Sequence, residues 1–362
     1  MLRLIRRYTY IIIGFSALLY SGCSNETPTA PPLGPEWIVY THDNSRLAGN
    51  RIRCIHIDSD GSLWFGTDSG ASRFTPRTNS WTNLKDSLRT SGGSIAQVSA
   101  ITQAKDRSVW FGTIGAGVIR FNSQSQTGRA WTRFIDRGDG PTVVTGITAY
   151  KLDPGGYGEI WVASNSGIDR YDQTDVDQGT WTYYDPSITV SLPTRNIVSA
   201  FTNPIDDHLW FGAATGGAVE AYYDANLLWD KFESPLEKYQ VNTIAFDVVN
   251  FETNNVWFGK EVGASKLNLM SGKWTYYTPD STNGQFPGGA VNAIETNYLT
   301  TRWFGMDSGL VLLDDTVYSR FTQDNSQLPN NRVTALKLDM RGNLWIGTRF
   351  GLAVYKKGGT QF

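Results

Sequence analysis

A tryptophan returns at near-regular intervals along this chain of 362 residues: Trp64, Trp110, Trp161, Trp210, Trp257, Trp303 and Trp345, with successive separations of 46, 51, 49, 47, 46 and 42. Self-similarity at such a period marks a repeat architecture, in which each unit buries its apolar face only by stacking on its neighbours. A second tryptophan series heads a short aromatic stretch: Trp37-Ile-Val-Tyr, Trp81-Thr-Asn-Leu, Trp131-Thr-Arg-Phe, Trp181-Thr-Tyr-Tyr, Trp229-Asp-Lys-Phe and Trp274-Thr-Tyr-Tyr, with Tyr318-Ser-Arg-Phe in the seventh copy. Seven members of the first series and six of the second account for all 13 tryptophans, so none remains as an isolated functional residue.

The copy from Leu328 to Tyr355 shows the unit most clearly. Val333 to Leu338 alternates apolar and polar, Arg341-Gly342-Asn343 reads as a tight turn, Leu344 to Thr348 is a second strand, and Gly351 opens a third. The Trp-x-x-aromatic stretch adds a fourth, outer strand. Glycine stands two residues after the first-series tryptophan at Gly66, Gly112, Gly212, Gly259, Gly305 and Gly347, where neighbouring sheets would crowd a side chain, and Ala163 is the one substitute. Gly70, Gly117, Gly167, Gly216, Gly263, Gly309 and Gly351 open the third strands after a turn expected to need positive φ. A small residue recurs in the inner strand: Cys54, Ala100, Gly146, Ala200, Thr243, Ala293 and Ala335. These observations predict an all-β fold: a single seven-bladed β-propeller of four-stranded antiparallel blades over residues 36–362. The chain enters at an outer strand (Trp37 to Tyr40) and leaves after a third strand, so the N-terminal strand is expected to complete the last blade and close the ring. Extra residues in the first turns of the third and fifth repeats (Pro154 to Gly158 and Asn250 to Asn254) read as tolerated insertions.

The N-terminus lies outside this pattern. Arg3, Arg6 and Arg7 precede an apolar run from Tyr8 to Leu19 that is too short to span a bilayer. Leu19-Tyr-Ser-Gly-Cys23 follows and resembles the lipobox of bacterial lipoprotein signal peptides, with Tyr20 where that family has an aliphatic residue. The expected organisation is a signal peptide over 1–22, a lipidated Cys23 heading a proline-rich tether over 23–35, and the propeller. An ordinary secretory signal or an uncleaved anchor are the alternatives. An extended tether would reach on the order of 35 Å at about 3.1 Å per residue. The localisation this implies is the cell envelope, periplasmic or outer-membrane surface, with the membrane as partner through the lipid.

Cys54 is then the one cysteine of the domain, which excludes a disulfide framework, and its small-residue position favours a buried thiol over a nucleophile. A net charge of −2 provides no basic field for nucleic acid. Aromatic residues at 13% and 37 glycines suit many short strands and tight turns.

Leu-Pro-x-Asn-x-Val-x-x-Leu, Gly-Asn-Leu-Trp-Ile-Gly-Thr and Gly-Leu-x-x-Tyr, as they stand in Leu328 to Tyr355, resemble the two-component regulator propeller repeat. The resemblance extends from Trp37 to Tyr355 and is loosest in the third and fifth repeats. That repeat builds the periplasmic sensor halves of hybrid two-component systems in Bacteroidota, which respond to glycan fragments. The resemblance implies an exported propeller that binds a ligand or a partner. The paired propellers, immunoglobulin-like module, transmembrane helix and kinase of those sensors are not seen in this sequence, so a signalling role is not carried over.

Catalytic constellations are sparse. His42, His56 and His208 are scattered, and no Gly-x-Ser-x-Gly elbow, phosphate-cradling loop or Cys-x-x-Cys site appears. Asp172, Asp175 and Asp177 sit close in one turn, but without the glycine and distal glutamate of a calcium loop they read as a solvated acidic turn. No cofactor and no metal are expected, and no enzymatic activity. Two loop series should converge on one propeller face. Outer-to-inner loops bring Arg51, Arg195 and Arg332; second-to-third loops bring Asp68, Asn165, Glu261, Asp307, Arg349 and Phe350. Acids and arginines around a rim with one exposed phenylalanine suit a polar ligand such as an oligosaccharide, or a protein loop. Mutual pairing of the same charges is the alternative. Three functions follow: a lipid-anchored module binding a glycan or other polar ligand, a scaffold in an envelope complex, and, least favoured, a propeller lyase or hydrolase.

Overall fold

In the computed structural model the described residues are 35–362, apart from 126–128, 135–142, 151–155, 157, 176, 234, 250–251, 298–299 and 361. The expected signal peptide, Cys23 and nearly all of the tether lie outside them, as do most of the Pro154 to Gly158 insertion and part of the Asn250 to Asn254 one. The strands all fall in one compact unit, Leu33–Phe362.

The fold is all-β, a propeller architecture of antiparallel four-stranded units. Among the described residues, 28 strands form five sheets of four and one sheet of eight. In the sheet of eight, the ladders of the first repeat (Ile52–Ile57, Leu63–Thr67, Gly70–Thr75, Ser80–Asn83) join those of the second only by a single parallel bridge, Gly70 to Gln97. The strand Trp37–Tyr40 pairs antiparallel with the last strand, Gly351–Tyr355, in the register Trp37 to Tyr355 and Tyr40 to Leu352.

The strand types differ because their surroundings differ. Second strands such as Leu63–Thr67, Leu209–Ala213 and Leu344–Thr348 are buried throughout, which explains their unbroken apolar run. Outer strands are half-buried and alternate. Six of the seven first-series tryptophans pack on the ring closing the outer strand, such as Trp110 on Phe134 (5.0 Å between ring centroids, 11° between planes) and Trp161 on Tyr184 (5.5 Å, 18°); in the first repeat that position is Leu84 and Trp64 packs on Phe111 and Phe121. Trp345 takes Tyr40 from the N-terminal strand in the same role, stacked at 6.3 Å and 9°.

Glycine two residues after the tryptophan is a matter of sheet-to-sheet distance. A Cβ on Gly112 would lie 2.4 Å from Val144 Cγ1, and one on Gly347 would lie 2.7 Å from Ile52 Cγ2, each on the inner strand of another repeat. The exception is compensated. Ala163 pairs with Gly146, the one small-slot position that is itself glycine. At the third-strand turn Gly70 and Gly351 hold φ of 99° and 143°, as the spacing predicts.

Two positions read from spacing move by one residue in the fourth repeat. Gly212 pairs with Ser199, not Ala200, because the turn Asn203 to His208 between inner and second strands is one residue longer than Asp58 to Ser62 in the first repeat. The third-strand glycine is Gly217 rather than Gly216. Gly217 accepts from Ala213 N (3.0 Å) and has φ of 91°, just as Gly117 accepts from Thr113 N in the second repeat.

All seven inner strands carry a β-bulge at one place, where the register skips a residue: Arg53, Ser99, Thr145, Val198, Asn242, Asn292 and Thr334. The skipped residue has no cross-strand partner in the ladder. Its side chain is left to turn toward the adjoining inner strand.

Candidate functional site at the axial mouth

The bulged residues build a hydrogen-bonded belt. Ser99 Oγ donates to Val144 O (2.5 Å), Thr145 Oγ1 to Ile197 O (2.6 Å), Asn242 Nδ2 to Val291 O (3.1 Å) and Asn292 Nδ2 to Val333 O (2.9 Å). Thr334 Oγ1 donates to Ile52 O (2.5 Å), linking the last inner strand to the first. Val198 has no polar atom, and Ser199 Oγ substitutes by donating to Val241 O (3.1 Å). Arg53 completes the series differently, with Nη2 donating to Gln97 Oε1 (2.6 Å). The belt borders a cavity of about 630 Å³ between the inner strands, which extends past Ile147 and Ile244 to Pro204, Asn297 and Met340 in the turns at the other end.

The two loop series expected to converge do meet in pairs. Asp68 N donates to Arg51 O, Asn165 N to Val143 O, Glu261 N to Gln240 O, Asp307 N to Ala290 O and Arg349 N to Arg332 O, at 3.2–3.3 Å. These five second-to-third turns are therefore each held against the loop that leads into their own inner strand.

The side chains at these positions fall into distinct groups. Arg332 Nε pairs with Asp307 Oδ1 at 3.2 Å, and Asn292 Nδ2 donates to the same oxygen at 2.8 Å. Both partners of that pair are roughly half exposed, so its contribution to stability is small. Arg195 is drawn away to Asp185, whose side chain is buried (3.0 Å). Asn165 Oδ1 accepts from Val143 N (3.3 Å). Asp68 is tied locally, accepting from Ser69 Oγ at 3.5 Å. Glu261 is exposed. Arg349 lies over the Phe350 ring (5.8 Å), and Phe350 is 59% exposed. The alternative of mutual pairing thus holds for Arg332 with Asp307, whereas Arg195 leaves the group.

Spacing did not single out Arg53. It borders the cavity from within a strand whose neighbours are Cys54 and Ile55. Burial, followed by the charge of Arg51, holds its pKa below the ordinary arginine value, against the opposing pull of Asp68. Lys260, next to Glu261, is also missed. It is 3% exposed, its amine lies 4.5 Å from the Tyr239 ring centre, and burial lowers its pKa. The signal for Arg53 lies in the column of bulged residues, six of seven polar, which is visible only once the register is known.

The opposite end of the fold carries buried charge of another kind. Asp58 Oδ2 and Asp339 Oδ2 accept the indole N–H of Trp64 (2.8 Å) and Trp345 (2.9 Å) from the first-to-second-strand turns. Glu159 accepts from Trp161 (2.8 Å) and Tyr223 (2.8 Å) and pairs with Arg170 (2.9 Å); burial dominates and raises its pKa despite that arginine. Asp172 and Asp177 of the acidic turn meet Arg170 (2.8 Å) and Arg120 (3.9 Å). His208 Nδ1 is 2.7 Å from Glu220 Oε1. Among the described residues no group of three or more His, Cys, Asp or Glu is placed to hold a metal ion, and no helix is long and apolar enough to cross a membrane. Burial pushes the Cys54 thiol up to about 12, so it is not a thiolate at neutral pH.

Residues 46–69 and 327–350 match the family described as two component regulator propeller, so the chain carries repeats of that type at those two places. Among curated protein sequences none matches it. Among solved structures it is similar to the extracellular domain of the putative hybrid two component system BT3049 from B. thetaiotaomicron, with 21% identity and a TM-score of 0.65 over 91% of this chain and 42% of that one. It is also similar to PorZ, a surface component of the type-IX secretion system of Porphyromonas gingivalis (18%, 0.64, 85% and 47%). Virginiamycin B lyase from Staphylococcus aureus gives 16% identity and 0.62, over 88% of this chain and 99% of the lyase. The chain spans less than half of the sensor and PorZ chains. At these identities the likeness bears on the fold alone.

Proposed function

We propose that this propeller of two component regulator repeats is an exported binding module that takes a polar ligand, a glycan fragment or similar, at the face where the two loop series meet. What supports the reading is the backbone pairing of those loops, Asp68 with Arg51, Asp307 with Ala290 and Arg349 with Arg332, each leading into an inner strand that borders the cavity; in this reading Arg51, Arg332, Arg349, Asp307 and Glu261 form its rim. In this reading the repeats form seven blades in a closed ring, supported by the strand Trp37–Tyr40 lying on Gly351–Tyr355 and by the bond from Thr334 to Ile52. Cys23 carries the lipid and residues 23–35 hold the domain off the membrane, at the periplasmic or outer-membrane surface. The absence of nucleic-acid binding and of catalysis is part of the same proposal.

A glycan array probed with the protein lacking residues 1–22 tests it. Binding to a defined oligosaccharide is expected, and its loss in the Arg332→Ala/Arg349→Ala double variant. Unchanged affinity in that variant removes these residues from the site. Envelope proteins captured in place of any glycan would favour the second reading, a scaffold, for which the observations are exposed Phe350 and, in the loop after the third outer strand, Ile188 (65% exposed) and Val190 (94%). That PorZ is a surface component of a secretion system gives this reading a precedent. Cys23→Ser is expected to release the protein from the membrane fraction; retention there would refute the anchor.

A further inference from the structure

Arg53 is the one charged member of a belt whose other six positions are Ser99, Thr145, Val198, Asn242, Asn292 and Thr334. Its guanidinium is held from one side by Gln97, while Nε is buried and has no hydrogen-bond partner among the described residues. No carboxylate lies within ion-pair distance of it among those residues. Other cations of the loops and the cavity wall are already engaged: Arg332 with Asp307, Arg195 with Asp185, and Lys337 of the cavity wall with Glu295 (3.2 Å). Asp68 attracts Arg53 and Arg51 repels it, so two positive charges face one negative at this edge of the mouth. A partly desolvated cation with spare donors and no counter-ion is costly unless an anion completes it.

The remaining belt has complementary chemistry. The hydroxyls of Ser99, Thr145 and Thr334 spend their hydrogens on neighbouring carbonyls, which leaves oxygen lone pairs toward the cavity. Three neutral acceptors beside a single planar cation suit a molecule with several hydroxyls and one oxyanion. A cavity of about 630 Å³ is in the range that holds a small ligand.

We propose that the axial mouth at Arg53 recognises one oxyanion, a carboxylate or a sulfate, carried on a sugar-like polyhydroxyl ligand whose hydroxyls donate to the belt. The proposal rests on the binding-module reading and narrows it from polar to acidic ligands. Arg53 is the positioning cation of that site, and the rim arginines lie outside it.

Calorimetric titration of the whole protein with galacturonate, galactose 6-sulfate and galactose tests the assignment. At least one acidic sugar is expected to bind and neutral galactose to bind at least tenfold more weakly, the order of one charge-assisted hydrogen bond. Galacturonate alone identifies a uronate, and the sulfate ester alone a sulfated sugar. Arg53→Ser, which installs the residue of the second repeat, is expected to weaken acidic-sugar binding about tenfold or more with an unchanged melting curve; Arg53→Lys, keeping charge without the fork, falls between. Equal binding of galactose and galacturonate, no binding of either acidic sugar, or full affinity in a folded Arg53→Ser protein overturns the proposal. If neutral glycans bind through Arg332 and Arg349 while Arg53→Ser is silent, the binding module stands and the acidic site does not.

Discussion

Replacing Gly112 by alanine isolates the sheet-to-sheet contact from every other role of glycine. Gly112 is not among the positive-φ glycines, so alanine meets no backbone strain there. On conformational entropy alone the change would stabilise by roughly 0.4–1 kcal/mol. The new methyl, however, would stand 2.4 Å from Val144 Cγ1 and 3.2 Å from Val144 Cβ, and Val144 is 1% exposed. Overpacking of this kind costs about 1–3 kcal/mol, so a net loss of about 1–2 kcal/mol is expected. Val144→Ala deletes both γ-methyls, at about 0.8 kcal/mol each before any cavity term. It should make room for the added methyl, so the double variant is expected to be less destabilised than the two single changes together, by about 1 kcal/mol. Urea unfolding of the three variants and the parent reads this directly. A Gly112→Ala protein as stable as the parent, or strict additivity in the cycle, would refute the crowding argument.

Deleting residues 1–40 removes Trp37 and Tyr40 from Tyr355 and Trp345 and frees the edge of Gly351–Tyr355; a loss of about 3–6 kcal/mol is expected, at about 1.5–3 kcal/mol per buried aromatic side chain. An unshifted melting temperature would argue against a closed ring. Cys54 borders the cavity and is half-buried, but its thiol is held well above the ordinary value, so it should react with a disulfide reagent at pH 8 far more slowly than after urea unfolding, and labelling at the unfolded rate would contradict the raised pKa. Glu159 has a raised folded-state pKa, so the stability linked to its protonated form is full below the ordinary glutamate value of 4.5 and is lost as pH rises through the folded value. Glu159→Gln should therefore remove this fall, so that stability rises more steeply with pH above 4.5 than in the parent, and parallel curves would exclude Glu159 as a source. Arg302 forks Asp247, whose side chain is 2% exposed, through Nε (3.1 Å) and Nη2 (2.8 Å); Arg302→Ala should cost about 3–5 kcal/mol by stranding that carboxylate, and a change under 1 kcal/mol would show it solvated.

What could be read from the sequence follows from where side chains are large and unavoidable. The tryptophans and their glycines announce themselves because a ring of that size on tightly spaced sheets admits few alternatives. Trp-x-x-aromatic was legible as an outer strand, and the stack of Trp110 on Phe134 supplies its reason. Register was not legible. One added residue in a turn moved the small slot to Ser199, and one more moved the turn glycine to Gly217, because counting from a tryptophan cannot see where a loop absorbs length. Of the loop charges, Asp307 and Arg332 do meet, but their electrostatic arrangement was not legible, since Arg195 turns to Asp185. Arg53 was hidden for the same reason as Ser199. A polar residue inside an apolar strand looks like ordinary alternation until the bulge shows that it has left the ladder.

That bulge has a consequence for how such a protein can change. In a regular strand, the residue at any position answers both to its cross-strand partner and to the sheet behind it. The seven skipped residues are released from the first demand, and the occupants Arg, Ser, Thr, Val, Asn, Asn and Thr show how wide the tolerated range already is. Substitution there leaves the ladder pairing untouched and is felt instead in the bond to the adjoining inner strand and in the lining of the cavity. The inner strands therefore each hold one position at which the lining of the cavity can change, at the cost of at most one side-chain hydrogen bond to the neighbouring strand and with the ladders kept.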